Sequence, residues 1–434
     1  MLSEHYPDAL LREWVADASA RSVELISDLS EEQLCVPLLP TINPILWEFC
    51  HQAYFFELWV LRRVLGESPA RDDVDQLFDS MTIDHEARWR LPVPDRDGSL
   101  AYAAKVRDRV LEVIDRGIEG RFESDLLRYR IVYSIFHSDM HTEALTYLRQ
   151  TLAYPAPTLG LPTVPPPLAA EINGDVDIPG GSYEIGASPE TPFCFDNEKW
   201  AHPISIAPFS ISRRAVTDGE MADFVLDGGY LRPDFWSAEG WAWLQAVQAE
   251  LPLFWRRDGG FERRHFDRWT PIDPRTAACH LSWYEADAWC RWAGRRLPTE
   301  PEWEVASTFD PATGAKRSSH WEERAHPAKG NLDWSGGGPV SVDAYPEGES
   351  PAGCRQMRGN VWEWTATRFE PYPGFEPDMY VDYSNASFGT RKVLRGGGWA
   401  TRSRMIRDTW RDFYQPGRRD VFAGFRTCAA RACP

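Results

Sequence analysis

Six prolines fall within YPAPTLGLPTVPPPLAAE, residues 154–171, and no helix can run through such a segment. Proline has no amide donor, and its ring clashes with the carbonyl one turn earlier. The segment is expected to be a stiff, extended linker, and the chain changes texture across it. Before it, residues 7–30, 43–66, 99–116 and 121–153 carry apolar positions at helical spacing. In the last of these, Leu126, Leu127, Ile131, Val132, Ile135 and Phe136 lead on to Leu145 and Leu148. Four such segments with polar or proline-containing connections predict an up-and-down bundle over 1–153. Asn43-Pro44 fits a helix start, with Asn as the cap and Pro in the first position. Over 172–434, Gly-rich turns, short apolar runs and most of the tryptophans replace helical periodicity. Only 217–227 and 283–293 read there as further helices, both starting near Ser or Thr.

With 434 residues, 43% of them hydrophobic, the chain can form two or three domains with filled cores. Its formal net charge of −18 argues against a nucleic-acid surface, which needs clustered Lys and Arg. It equally disfavours docking on anionic membranes, so the expected partner is a small molecule. No apolar run approaches the length of a membrane span. The opening MLSEHYPDALLREW has neither a basic nor an apolar leader region, so a signal peptide is not expected. Cys35, Cys50, Cys194, Cys279, Cys290, Cys354, Cys428 and Cys433 form no CxxC pair and no framework spacing. They read as thiols in a reducing compartment, which places the protein in the cytoplasm.

His137 and His141 stand four apart in FHSDMHTEAL, within the strongest helical segment. An i, i+4 pair projects from one helix face, so both imidazoles can reach one ion. His51, in WEFCHQAYFFELW, is out of keeping with its apolar neighbours and can supply a third nitrogen. A lone histidine in an apolar helix also reads as a hydrogen-bonded core residue, and from the residues alone both readings stand. The zinc-protease pattern is excluded, because Ser138 takes the place of its glutamate. Three neutral imidazoles suit Fe, Zn, Cu or Ni and leave coordination positions open. With no carboxylate to neutralise it, a ferrous ion would keep its full charge and favour an incoming thiolate or selenolate.

Six motifs then follow in order: IPGGSYEIGAS, HPISIAPFSISRRAVTDGEMADFV, HLSWYEADAWCRWAGRRLPTEPEWEVA, GNVWEWT, VLRGGGWA and FAGFRT. Together, from about 172 to 429, they resemble the formylglycine-generating (sulfatase-modifying factor) family. That resemblance implies an irregular fold related to C-type lectins. Most motif residues read as scaffold: Arg296 to Trp303 as a turn into a helical stretch, Trp362 and Trp364 as alternating strand positions. Gly396, Gly397 and Gly398 permit close backbone approach or positive φ. The copper-dependent members use a cysteine pair after the RGG motif. Thr401 and Ile406 stand at those positions here, so that chemistry is not expected.

The first half, with Trp47, His51, Phe55-Phe56-Glu57 and then His137 and His141, resembles the DinB-like bundle of the ergothioneine-type sulfoxide synthases. The two resemblances cover nearly the whole chain. They imply an α+β protein: a DinB-like four-helix bundle fused to a formylglycine-generating-enzyme-like substrate domain. They further imply non-haem Fe(II) on His51, His137 and His141, with O₂ as co-substrate and hercynine (trimethylhistidine) as the imidazole substrate in a cleft between the domains.

The chain departs from the ergothioneine pattern at several places. Met140 stands where a glutamine holds the imidazole substrate. Asp412-Phe413-Tyr414 replaces an Asn-Trp-Asp run, ahead of Gln415-Pro416-Gly417-Arg418-Arg419. Asp412 can meet a trimethylammonium group and Phe413 can stack on it. Tyr414 cannot pair with an ammonium group as a carboxylate does, but it can pack on a sugar; Arg418 matches a substrate-binding arginine. The segment LFDSMTIDHEARWRLPVPDRDG, with Arg88 and Arg90 expected in the cleft, resembles the selenoneine synthase branch, which takes a selenosugar donor. The proton-donating tyrosine of the family is expected at Tyr380, with Tyr383 as the other candidate. The implied reaction joins selenium or sulfur to hercynine as a selenoxide or sulfoxide. Two rivals remain: a metal-dependent thiol S-transferase of the DinB-like type, and a non-catalytic ligand-binding protein.

Overall fold

The computed structural model describes residues 2–120, 123–161, 163–317 and 329–430. Cys433, Pro162 of the proline-rich segment, and residues 121–122 of the last expected helix lie outside these. The chain forms two compact units, Met1–Gly160 and Leu161–Pro434. The proline-rich segment is shared between them. On the first unit, Arg149 donates to the Pro155 carbonyl and the Tyr154 hydroxyl to the Gln33 carbonyl. On the second, Val164 N–H meets the Ser335 carbonyl, and the Pro167 carbonyl accepts from Tyr345 N–H.

The first unit is built on four helices, α1 (Asp8–Ser27), α2 (Ile45–Phe56), α3 (Arg96–Asp115) and α4 (Ser124–Thr151). Eleven of the twelve residues of α2 are buried. A helix apolar on every side is stable only when neighbours cover it all round, and α2 packs against both α3 and α4. It continues into a π-helical turn, Glu57–Arg62, a distortion frequent beside functional sites. Asn43 does not cap α2. Pro44 is the capping residue, because the Asn43 amide is drawn instead to the Glu48 carboxylate, 2.8 Å away.

The second unit is irregular, with short strands and loops. One four-stranded sheet orders Asp175–Ile178, Phe209–Ser212, Cys428–Ala429 and Arg295–Arg296. The other orders Asp412–Tyr414, Lys392–Arg395, Trp362–Arg368 and Ala423–Gly424. Helices at Asp218–Leu226 and Trp283–Trp292 lie where the spacing predicts them, each started by a capping box. Helix Ala238–Val247 is an addition to the two later helices read from the sequence. It buries only Gly240 and Leu244, so it has no apolar stripe to read and is held by its Ser237 cap on Gly240 N–H.

The motifs interlock. Glu363 of GNVWEWT accepts from Arg426 of FAGFRT at 2.6 and 2.8 Å and from the Trp303 indole at 2.7 Å. Gly396 and Gly397 have φ of +97° and +86°, and a Cβ on Gly397 would lie 2.5 Å from Ile406 Cδ1. Thr401 and Ile406 are both buried. The cysteines other than Cys433 are free thiols, buried except for Cys35. Among the described residues no helix is long and apolar enough to cross a membrane.

Candidate metal centre

Gln52 sets the register of three helices. Its side-chain oxygen accepts from Ser22 of α1 at 2.6 Å and from Ser138 of α4 at 2.9 Å. That brings its neighbour in α2, His51, against His137 and His141 of α4. One ligand nitrogen from each of the three histidines lies within 4.8 Å of the others. His51 and His137 are each only 3% exposed.

The tautomers follow from the partners. His51 Nδ1 lies 2.8 Å from the Phe78 carbonyl, which can only accept, so Nδ1 carries the proton and Nε2 a lone pair. His141 Nδ1 faces the Glu48 carboxylate at 2.8 Å, with the same consequence. His141 Nε2 then stands 3.2 Å from His137 Nε2. Two nitrogens at about 2.1 Å from one ion, separated by that distance, subtend roughly 100° at the metal. Burial, followed by the charge of His141, holds the His51 imidazole well below its ordinary pKa. Burial and then His141 and His51 do the same to His137. Convergent imidazoles, with His51 and His137 held neutral by burial, fit a bound transition-metal ion, and no carboxylate joins the cluster among the described residues.

Two of the rings are also held in their planes. Phe55 stacks on His137 with centroids 3.7 Å apart, and Trp47 on His51 at 4.9 Å and 7°. Glu48, 2% exposed, is a functional residue the sequence reading did not name. Its signal was available: with Gln52 it is one of two further polar residues of α2, and it lies three residues before His51, on the same face.

Arg88 sits behind the centre, with its guanidinium 4.1 Å over the Trp47 ring. Arg90 is exposed at the end of the short helix His85–Arg90, and Met140 is half-buried on α4. The remaining expected site residues gather in the second unit. Strand Asp412–Tyr414 pairs antiparallel with Lys392–Arg395, Phe413 opposite Val393. Phe413 stacks on Phe369 at 4.0 Å and meets the Tyr383 ring edge-on at 5.6 Å. Tyr380 lies 6.4 Å from Tyr383 between ring centroids. Arg418 lies 5.0 Å over Tyr414, and its donors hold Asp420 at 2.6 and 2.8 Å. Burial pushes the Asp412 carboxyl up to about 6, against the pull of the Phe413 amide and of Arg418 and Arg391. Burial, then the Asp412 charge, raises the Tyr383 phenol far above its ordinary range.

Residues 16–145 match the DinB superfamily and residues 162–431 the sulfatase-modifying factor enzyme 1-like domain. The hercynine oxygenase of Mycolicibacterium smegmatis is 35% identical over 431 residues, spanning 96% of this chain and 99% of its own. The chain belongs to the hercynine oxygenase family. The Mycolicibacterium thermoresistibile hercynine oxygenase is 36% identical, spanning 96% of this chain and 94% of its own. The formylglycine-generating enzyme of Thermomonospora curvata is 30% identical over 263 residues, or 52% of this chain and 82% of its own. The matched hercynine oxygenases span both the DinB-type bundle of this chain and the sulfatase-modifying-factor-type domain that follows it. The resemblance to ergothioneine-type sulfoxide synthases stands as family membership.

Proposed function

We propose that the protein is a non-haem Fe(II)- and O₂-dependent oxidoreductase that joins a selenium or sulfur donor to the imidazole of hercynine. The observation that carries this reading is the three-histidine cluster, joined by no carboxylate among the described residues, in a chain of which 96% matches a hercynine oxygenase. The reaction balances on one O₂. The imidazole C–H and the donor Se–H or S–H each lose hydrogen, and a C–Se or C–S bond forms between them. One oxygen atom ends on the chalcogen and the other leaves as water.

His51, His137 and His141 would hold the ion through Nε2, with Phe78 and Glu48 fixing two of the rings. Ferrous iron bound there would supply O₂ activation and a coordination position for the donor's selenolate or thiolate. Asp412 is suited to the trimethylammonium group of hercynine and Phe413 to stacking on it. Tyr414 and Arg418 are assigned to the donor, and Met140, Arg88 and Arg90 were read from the sequence as further substrate contacts. A neutral aromatic at Tyr414 favours a sugar over an amino-acid ammonium group, so the donor we assign is a selenosugar. Of the two tyrosines, Tyr383 is assigned the proton donation, because it packs on Phe413, the residue assigned to hercynine.

The test is anaerobic reconstitution with Fe(II), followed by hercynine, air and either a selenosugar or γ-glutamylcysteine, with products identified by mass spectrometry. A hercynyl selenoxide from the selenosugar alone is expected. A sulfoxide from the thiol alone would move the assignment to sulfur, and no O₂ consumption with either donor would refute the oxygenase reading.

Asp412 adds a pH dependence. Its carboxyl, pushed up to about 6, is charged above that pH and neutral below it. Affinity for the quaternary ammonium substrate should therefore rise as pH increases through about 6 and level off above 7. Isothermal titration of hercynine from pH 5 to 8 checks this, and Asp412→Asn should bind weakly with a flat profile. A wild-type profile as flat as that of Asp412→Asn would remove Asp412 from the substrate site.

A further inference from the structure

Two chains of contact leave the histidine cluster, and both end on one side chain. From His141, Nδ1 donates to Glu48 Oε1, Asn43 Nδ2 donates to Glu48 Oε2, and Arg88 Nη1 donates to Asn43 Oδ1, each at 2.8 Å. From His51, the imidazole stacks on Trp47 at 4.9 Å, and Trp47 carries the Arg88 guanidinium on its ring at 4.1 Å. The Trp47 indole is itself pinned by the Leu77 carbonyl at 2.7 Å. We infer that Arg88 is a positioning residue that couples two of the three metal-binding histidines by terminating both chains.

The argument is directional. Asn43 can present either its oxygen or its amino group to Glu48, and only the amino group suits a carboxylate. The Arg88 donor fixes that choice by claiming the oxygen. With Asn43 turned over, its oxygen would face Glu48 Oε2 and push the carboxylate off His141 Nδ1. A planar guanidinium serves this place where an ammonium would not, since it donates in its plane and stacks through its face. This role differs from the substrate contact that the sequence suggested for Arg88. It rests on the metal-site part of the proposed function, and on nothing concerning the donor.

The test uses the full-length protein without substrates. Metal affinity is read by competition titration and ring geometry by the visible absorption of the Co(II)-loaded form. Arg88→Ala is expected to weaken Co(II) binding by about tenfold, as losses of outer-shell partners do, and to shift the Co(II) bands. Asn43→Ala, which cuts one chain and leaves the stack, should give part of both effects. The double variant should fall short of the sum. Wild-type affinity and bands in Arg88→Ala, with only a raised KM, would overturn the inference in favour of substrate contact. A lower melting temperature with unchanged affinity and bands would reduce Arg88 to a structural residue and overturn it as well. If the wild type takes up no ion, the metal-site reading fails first and the inference goes with it.

Discussion

His137→Leu should abolish metal-dependent stabilisation and turnover while leaving the metal-free protein about as stable as the wild type. The expectation comes from what the three rings do to one another without an ion. His137 is 3% exposed, and its Nε2 faces the Nε2 of His141 at 3.2 Å. With the His141 proton committed to Glu48, the hydrogen bond across that gap needs a proton on His137 Nε2, which a bound ion would displace. A hydrogen bond between two neutral side chains contributes only about 0.5–1.5 kcal/mol net. Leucine is of similar volume, keeps apolar contact with Phe55 and buries no polar group, which offsets the lost bond. In the wild type, a metal ion at a thousand times its Kd adds about 4 kcal/mol to stability. Thermal melts with and without Fe(II) or Co(II) therefore separate the two readings of this histidine. A ligand gives a variant with an unchanged or higher metal-free midpoint and no response to metal. A core histidine gives a variant that melts lower and still responds, and that result would sink the metal assignment.

This balance explains why the centre was legible in the sequence. Histidines placed in apolar helices, against the local logic of burial, signal a requirement other than folding, and the i, i+4 spacing of His137 and His141 says which faces must meet. The support around them was less visible. Glu48 could have been read from its place on α2, but its contact with His141 crosses from residue 48 to residue 141. Asn43 approaches from a loop and Arg88 from the short helix 45 positions later, and no periodicity links the two. The Asn43-Pro44 dipeptide was a sound cap signal overridden by a stronger charged partner.

In the second unit the motifs were readable because each is one part of a buried contact: GNVWEWT, FAGFRT and the Trp303 segment close on one another through Glu363. Helix Ala238–Val247 left no such trace. Trp243 of that helix packs so close to Gly417 that a Cβ there would lie 2.6 Å from the indole nitrogen. It is thus fixed by tertiary contact rather than by its own pattern.

The largest stability loss is expected at Arg395 of the RGG motif. Its side chain is fully buried, donating to Glu300 and Glu304 at 2.8 Å each and to the Asp408 carbonyl. Arg411 also holds Glu300, at 2.7 Å, and Lys316 holds Glu304 at 2.7 Å. Removing Arg395 therefore leaves two carboxylates still faced by two cations, and the loss does not come from net charge. It comes from a stranded acceptor, Glu304 Oε2, in a site that water cannot reach without opening the sheet. Breaking a buried pair in this way costs about 3–5 kcal/mol, on the order of 10 °C in melting temperature for a unit of this size. Arg12→Ala provides the contrast. It breaks an ion pair with Asp115 whose two partners are 53% and 51% exposed, and such pairs contribute at most about 1 kcal/mol. Arg395→Lys should fall between the two, because an ammonium restores the charge but cannot span both glutamates in the plane of the fork. Calorimetry on the three variants decides the matter. An Arg395→Ala midpoint no lower than that of Arg12→Ala would mean that this network relaxes freely, and that the order of the motifs has some cause other than the interior they build.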